Sequence, residues 1–178
     1  MTRTGLVVAL VIGALAGLTF GLFPELDLAV SRLFAPEGTF TLGADPVLNF
    51  VRHAGMVIVG LLAAPAGLAL VLKLARPRRP LLVRGRAIVF LFSTLLLGPL
   101  LATNIVLKDH WGRPRPRDVI ACGGAQPFLP WWDPRGRCPA NCSFVAGEAA
   151  GAFWTVAPAS LAPPPWRPLA YAGALTFG

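Results

Sequence analysis

Charge is scarce in this chain. Only 13% of its 178 residues are charged against 55% hydrophobic, and the mean hydropathy is +0.65, which excludes an ordinary water-soluble globular domain. Acids are scarcer still: 8 Asp and Glu against 16 Lys and Arg give a formal net charge of +8. Such an excess favours nucleic acid when it lies along an aromatic-studded polar face. Here the cations crowd the ends of apolar runs, so nucleic acid is set aside as a partner. There is no internal repeat and no low-complexity tract. A small-residue cleavage site is missing after the first apolar run, where Phe23-Pro24-Glu25 is bulky and then acidic. That run is also longer than the hydrophobic region of a secretory signal peptide, so a retained first span is expected.

What the chain does have is apolar length. A bilayer core takes about 20 apolar residues as a helix. The runs 5–23, 54–72 and 87–107 meet that need. A fourth, 149–165, carries Pro158 and predicts a kinked helix that begins within the headgroup layer, and a fifth, 169–178, is still apolar at Gly178 and reads as an incomplete span. The expectation is an all-α polytopic membrane helical bundle, a single membrane domain over 1–178 with a loop at 108–147.

Orientation follows from the connections, because cytoplasmic loops carry the excess of Lys and Arg. Lys73, Arg76, Arg78, Arg79, Arg84 and Arg86 lie between the second and third runs with no acid among them. The connection after the first run instead carries Glu25, Asp27, Glu37 and Asp45 against Arg32. The N-terminus is therefore expected in the cytoplasm and the 108–147 loop outside, which for a bacterial inner membrane means the periplasm. Leu26 to Phe34 is compatible with a short amphipathic surface helix, but the reading preferred is a plain connector that tucks leucines into the headgroups. Arg52 and His53, at the outer entry of the second span, read as a snorkelling interfacial pair.

The densest stretch is Lys108-Asp109-His110-Trp111-Gly112-Arg113-Pro114-Arg115-Pro116, placed where the third span ends. A lysine gives a compact point charge and an arginine a planar fork of donors, and together they suit the several oxygens of a phosphate. The bland alternative is a generic polybasic segment at a membrane edge. A second stretch, Asn141-Cys142-Ser143-Phe144-Val145-Ala146-Gly147-Glu148, opens the fourth span. Asn141 or Ser143 is available as its helix cap, and the small Ala146 and Gly147 let backbone amides approach an anion. The alternative there is an ordinary capped helix with small residues for packing.

Lys108 followed by Arg115-Pro116 resembles the first signature of the type 2 phosphatidic acid phosphatase superfamily, which includes lipid phosphate phosphatases and haloperoxidases. The second stretch is similar to that family's Ser-Phe-Pro-Ser-Gly-His signature in altered form: Ser143, Phe144 and Gly147 match, while Val145, Ala146 and Glu148 replace proline, serine and histidine. The resemblance implies a six-span core and a phosphate held by Lys108, Arg115 and the amides of Ala146 and Gly147. Arg113, Arg117 and His110 are secondary candidates. It implies no metal and no cofactor, because the family's cations are side chains. Glu148 stands where the family's proton donor stands, and serves either as an acid or, ionised and paired with Arg113, Arg115 or Arg117, as a positioner. The family's third signature, which supplies a nucleophilic histidine and its orienting aspartate, is not among these residues. The expectation is a C-terminally truncated lipid-phosphate phosphatase acting on the outer face through a phosphohistidine whose nucleophile lies beyond Gly178, inactive as it stands. The alternative is a non-catalytic membrane protein that binds a phosphorylated lipid or packs with a partner.

The three cysteines, Cys122, Cys138 and Cys142, all fall in the 108–147 loop. A bridge from Cys122 would close a loop of about 15–20 residues and add roughly 3 kcal/mol in the chain-entropy model. Cys138 with Cys142 is the other pairing, and either is preferred over a zinc site that includes His110. Trp131 and Trp132, with Phe128 and Pro130, read as an aromatic belt or as a rim that guides a lipid.

Overall fold

The computed structural model describes residues 3–35, 38–76, 84–143 and 145–178. Glu37, Arg78, Arg79 and Phe144, all used above, lie outside the described residues. The described chain is helical, with no strand beyond an isolated bridge between Val119 and Gln126. In chain order the helices are α1 (Arg3–Leu22), α2 (Glu25–Leu33), α3 (Pro46–Ala75), α4 (Gly85–Leu95), α5 (Gly147–Trp154), α6 (Val156–Ser160) and α7 (Arg167–Phe177). Short 3-10 turns lie at Thr41–Ala44, Pro116–Asp118 and Ile120–Cys122.

Three of these helices are long and apolar enough to cross a membrane: α1, α3, and the continuous span Gly85–Asp109 that begins as α4. This is an integral membrane protein of the all-helical kind. Helix α1 is apolar on every side and buries none of its residues, as a helix in contact with lipid does. Helix α3 opens on Pro46, whose missing N–H is harmless in a first turn. Beyond Leu95 the third span widens, and Leu96–Asp109 winds as a π-helix around Pro99. There Asn104 Nδ2 donates to the Pro99 carbonyl at 2.8 Å. Widened turns of this kind are rare and gather at functional sites, and this one ends on Lys108-Asp109.

Contacts divide the chain into two units, Met1–Asp45 with Val106–Phe144, and Pro46–Ile105 with Val145–Gly178. The second has a small apolar core of Val59, Ala66, Leu91 and Trp154. Its helices approach on small residues, as membrane helices commonly do. A Cβ added at Gly151 would sit 3.7 Å from Val59, and one at Gly55 would sit 3.7 Å from Phe177. The Trp154 indole is satisfied by Thr94 Oγ1 at 3.1 Å. The helix after Glu148 breaks at Thr155 and restarts as α6, in which Pro158 brings no N–H to the ladder.

The first unit is held by polar and aromatic contacts instead. Trp131 Nε1 donates to the Gly17 carbonyl of α1 at 3.0 Å, and Trp111 Nε1 donates to the Trp131 carbonyl at 2.8 Å. The indole lies along α1 beside Gly17 and Gly21, where a Cβ at either would be in ordinary contact with it at 3.5 Å. Trp131 is therefore a packing element of the loop; Trp132 is the exposed member of the pair. The segment 25–33 is a helix whose Asp27 carries a specific load described below, and not a plain connector. Cys138 and Cys142 form the disulfide, and Cys122 is a buried free thiol. Closing so small a loop adds about 2 kcal/mol in the chain-entropy model, less than a bridge from Cys122 would.

Candidate functional site

The basic motif begins on the last turn of the π-helical segment. Lys108 is half-buried, and among the described residues its ammonium has no hydrogen-bond or ion-pair partner. Gly112 then turns the chain with φ +70, a conformation that favours glycine. Pro114 and Pro116 flank Arg115, which sits on extended backbone at φ −71 and ψ 152. Its Nε donates to the Asn141 carbonyl at 2.8 Å, a bond that uses one edge of the fork and leaves the terminal amino groups available.

Arg113 and Arg117 are placed differently. Arg113 is buried: it pairs with Asp27, donates from Nε to the Leu129 carbonyl at 2.9 Å, and lies 5.6 Å over the Phe128 ring. Its charge is thereby committed to holding the loop against α2. Arg117 is exposed and only 3.7 Å from its neighbour Asp118, a weak local pair. His110 is exposed on the turn after the helix, with its amide on the Val106 carbonyl at 3.3 Å.

Residues 138–143 lie alongside this motif and bond it repeatedly. Cys138 N–H donates to the Gly112 carbonyl at 3.0 Å, Cys142 N–H to the Lys108 carbonyl at 2.9 Å, and Ser143 N–H to the Arg113 carbonyl at 2.8 Å. Asn141 N–H donates to Asp109 Oδ1 at 3.0 Å. The second signature thus begins, at Ser143, hydrogen-bonded to the first. Asp109 and Asn141 were not singled out for this support, and nothing in the linear spacing flags a contact across that distance.

Helix α5 starts four residues past Ser143, with Ala146 at its N-cap and no side-chain cap. Asn141 and Ser143 are not its cap, because the helix starts later than a cap at either would place it, with Ala146 at the N-cap position. The first-turn amides beginning at Gly147 have no partner inside the helix, the arrangement that suits an anion. Glu148 stands in this turn, where a negative charge is favourable. Its recorded partner is Arg52 of α3, whose Nε and Nη2 reach Oε1 at 2.9 and 2.6 Å. Arg52 is an arginine partner not foreseen among Arg113, Arg115 and Arg117. Arg52 is thus more than a snorkelling residue: it ties α3 to the first turn of α5.

These features define a helical membrane protein with a cluster of cations at the end of a span, of which Lys108 has no partner among the described residues. Its residues 86–177 match the family described as the PAP2 superfamily, and the chain belongs to that superfamily. A protein named lipid A 4'-phosphatase from Francisella tularensis subsp. novicida is 33% identical over 159 residues, covering 88% of this chain and 71% of that protein. Two more proteins of that name, from Rhizobium leguminosarum and Rhizobium etli, are 49% and 48% identical over 71 residues, 40% of this chain. The matched stretch spans only 30% and 28% of those two proteins. No solved structure matches.

Proposed function

We propose that this chain forms the phosphate-holding part of a lipid-phosphate phosphatase that works on the outer, periplasmic face of a bacterial inner membrane. The observation that carries the reading is the basic motif: in a chain of this superfamily, Lys108 offers an ammonium and Arg115 a pair of terminal amino groups that have no partner among the described residues. Those cations neutralise charge on the equatorial oxygens of a phosphoryl group. A neutral imidazole then attacks in line, so that a P–N bond forms as the P–O bond to the lipid breaks, and water later cleaves the phosphohistidine. That histidine is not among the 178 residues. The relatives named lipid A 4'-phosphatase favour a phosphorylated lipid A as substrate over phosphatidic acid, phosphatidylglycerol phosphate or an isoprenoid pyrophosphate.

The second reading is a membrane protein that binds a phosphorylated lipid without cleaving it. One observation favours it: Glu148, in place of the family's histidine, accepts the Arg52 Nε–H and forms an ion pair with that guanidinium, the arrangement of a positioner. The two readings separate when lipid binding and phosphate release are measured on the full-length protein in micelles. Release that falls about 10²–10³-fold in Lys108→Ala and Arg115→Ala, with the fold intact, supports the phosphatase. Binding with no release supports the second reading, and normal turnover in both variants removes the phosphate pocket altogether.

A further inference from the structure

We propose that the Cys138–Cys142 disulfide is a positioning clamp for the cations of the basic motif, so that its reduction weakens anion binding. The inference deepens the phosphate-holding reading and rests on it. Every contact involved lies within one unit of the chain, and none comes from the resemblance.

The argument starts with the backbone of the bridged loop. Residues 133–143 contain no helix or strand, so nothing regular fixes their path. Within the bridged loop Asn141 has φ +52, a left-handed conformation that asparagine tolerates but does not need. A chain free at both ends has little reason to stay there. The bridge holds its Cα ends 5.8 Å apart and so confines the turn.

That turn carries the contacts that aim the motif. The Asn141 carbonyl takes the Arg115 Nε bond at 2.8 Å, and its amide bonds Asp109 at 3.0 Å, one residue from Lys108. The two bridged residues themselves bond the motif's backbone, Cys142 at Lys108 and Cys138 at Gly112. Opening the bridge therefore frees the acceptor that orients Arg115 and the donor that ties the Lys108 carbonyl. The cations remain, but their aim is lost.

The redox step is ordinary thiol exchange. A dithiol reductant such as dithiothreitol attacks Sγ of the half-exposed Cys138, the buried Cys142 sulfur leaves as a thiolate and takes a proton, and the reductant closes to its cyclic disulfide. Two thiols result, and the reductant supplies both electrons.

The test uses the full-length protein in micelles with inorganic phosphate as the probe, read by tryptophan fluorescence because Trp111 lies inside the motif. Reduction is expected to raise the Kd for phosphate about tenfold, the scale on which supporting contacts act. Cys138→Ser, Cys142→Ser and the double variant should each show the same rise, with no further effect of the reductant on the double variant. Reoxidation of the wild-type protein should restore the affinity, and Cys122→Ala should behave as wild type. A lowered thermal midpoint with unchanged phosphate Kd would reduce the bridge to a mere staple and overturn the proposal, as would absence of phosphate binding in both redox states. Phosphate release from lipid is followed in parallel. A redox-sensitive Kd without release upholds the clamp and removes the hydrolase; release with a redox-insensitive Kd does the reverse.

Discussion

The basic motif and the start of α5 both read from sequence as phosphate holders, yet they are supported in opposite ways. Around Lys108 and Arg115 five hydrogen bonds join the motif to residues 138–143, three of them from backbone amides to backbone carbonyls, and a disulfide closes that second segment. At α5 there is no side-chain cap, and Glu148 is held by a solvent-exposed ion pair whose side chains are 62% and 38% accessible. The first is a rigid frame whose cations are left over after the frame is satisfied. The second is a loosely held turn whose one charged group is already occupied. The signature that matches the family is built into the scaffold, whereas the altered signature depends on a surface contact.

The largest blow to this contrast would come from the backbone of the frame. A Cβ at Gly136 would lie 1.8 Å from the Gly112 carbonyl oxygen, against backbone that cannot step aside. Gly136→Ala should therefore cost roughly 3 kcal/mol and lower the thermal midpoint by about 10 °C, with phosphate binding weakened as the 108–115 path shifts. Gly13→Ala on α1 meets nothing within 4 Å and is the matched control. Equal midpoints for the two variants, measured by near-ultraviolet circular dichroism in micelles, would mean that the frame is softer than its contacts imply.

A smaller effect is expected at the other region. An exposed ion pair contributes under about 1 kcal/mol, so Glu148→Gln should leave the thermal midpoint almost unchanged. If Glu148 only positions, its loss lowers phosphate release about tenfold or less. A fall of about 10²–10⁴-fold is the scale of a missing proton donor and would make Glu148 the acid after all. Exchanging the charges, Arg52→Glu with Glu148→Arg, sharpens the result: recovery of release would assign the pair a latching role, and continued loss would give the carboxylate itself a part at the phosphate.

How much of this was legible in the chain depends on the range of the interaction. The long apolar helices were readable because apolar length is a local property, and each of the three is built on one of the charge-free runs. Lys108 and Arg115 stand out because their types and spacing resemble a family signature. The supports were not. Asp27 with Arg113, Asn141 with Arg115, and Arg52 with Glu148 are separated by 86, 26 and 96 residues, and no periodicity links such pairs. Phe128 and Trp131 show the same limit. An aromatic beside a membrane-edge loop has the composition of a lipid-facing belt, but here Phe128 lies under the Arg113 guanidinium and Trp131 donates to α1. Composition gives the polarity of a residue and leaves its direction open.

The smallest effect tests how independent the frame's outer turns are. Asp133 is buried and accepts from Arg135 three times, from Nε at 2.8 Å, from Nη2 at 2.7 Å and from the backbone N–H at 3.0 Å. The Arg135 side-chain bonds, helped by its backbone N–H and opposed by burial, hold the carboxyl down from its ordinary 3.8 to about 2. A depressed carboxyl stabilises the fold above its ordinary value, and that contribution fades as the pH falls from near 4 through about 2. Arg135 is 81% accessible, so solvent screens the pair and the change is local. Trp131 and Trp132 stand next to the turn and report it: their fluorescence should shift with a midpoint close to 2 in the wild-type protein, and Asp133→Asn should abolish that acid transition. A midpoint near 3.8 would mean that the pair does not form in solution. A transition that also released phosphate would join this turn to the clamped frame, and the contrast between the two regions would then extend across the whole loop.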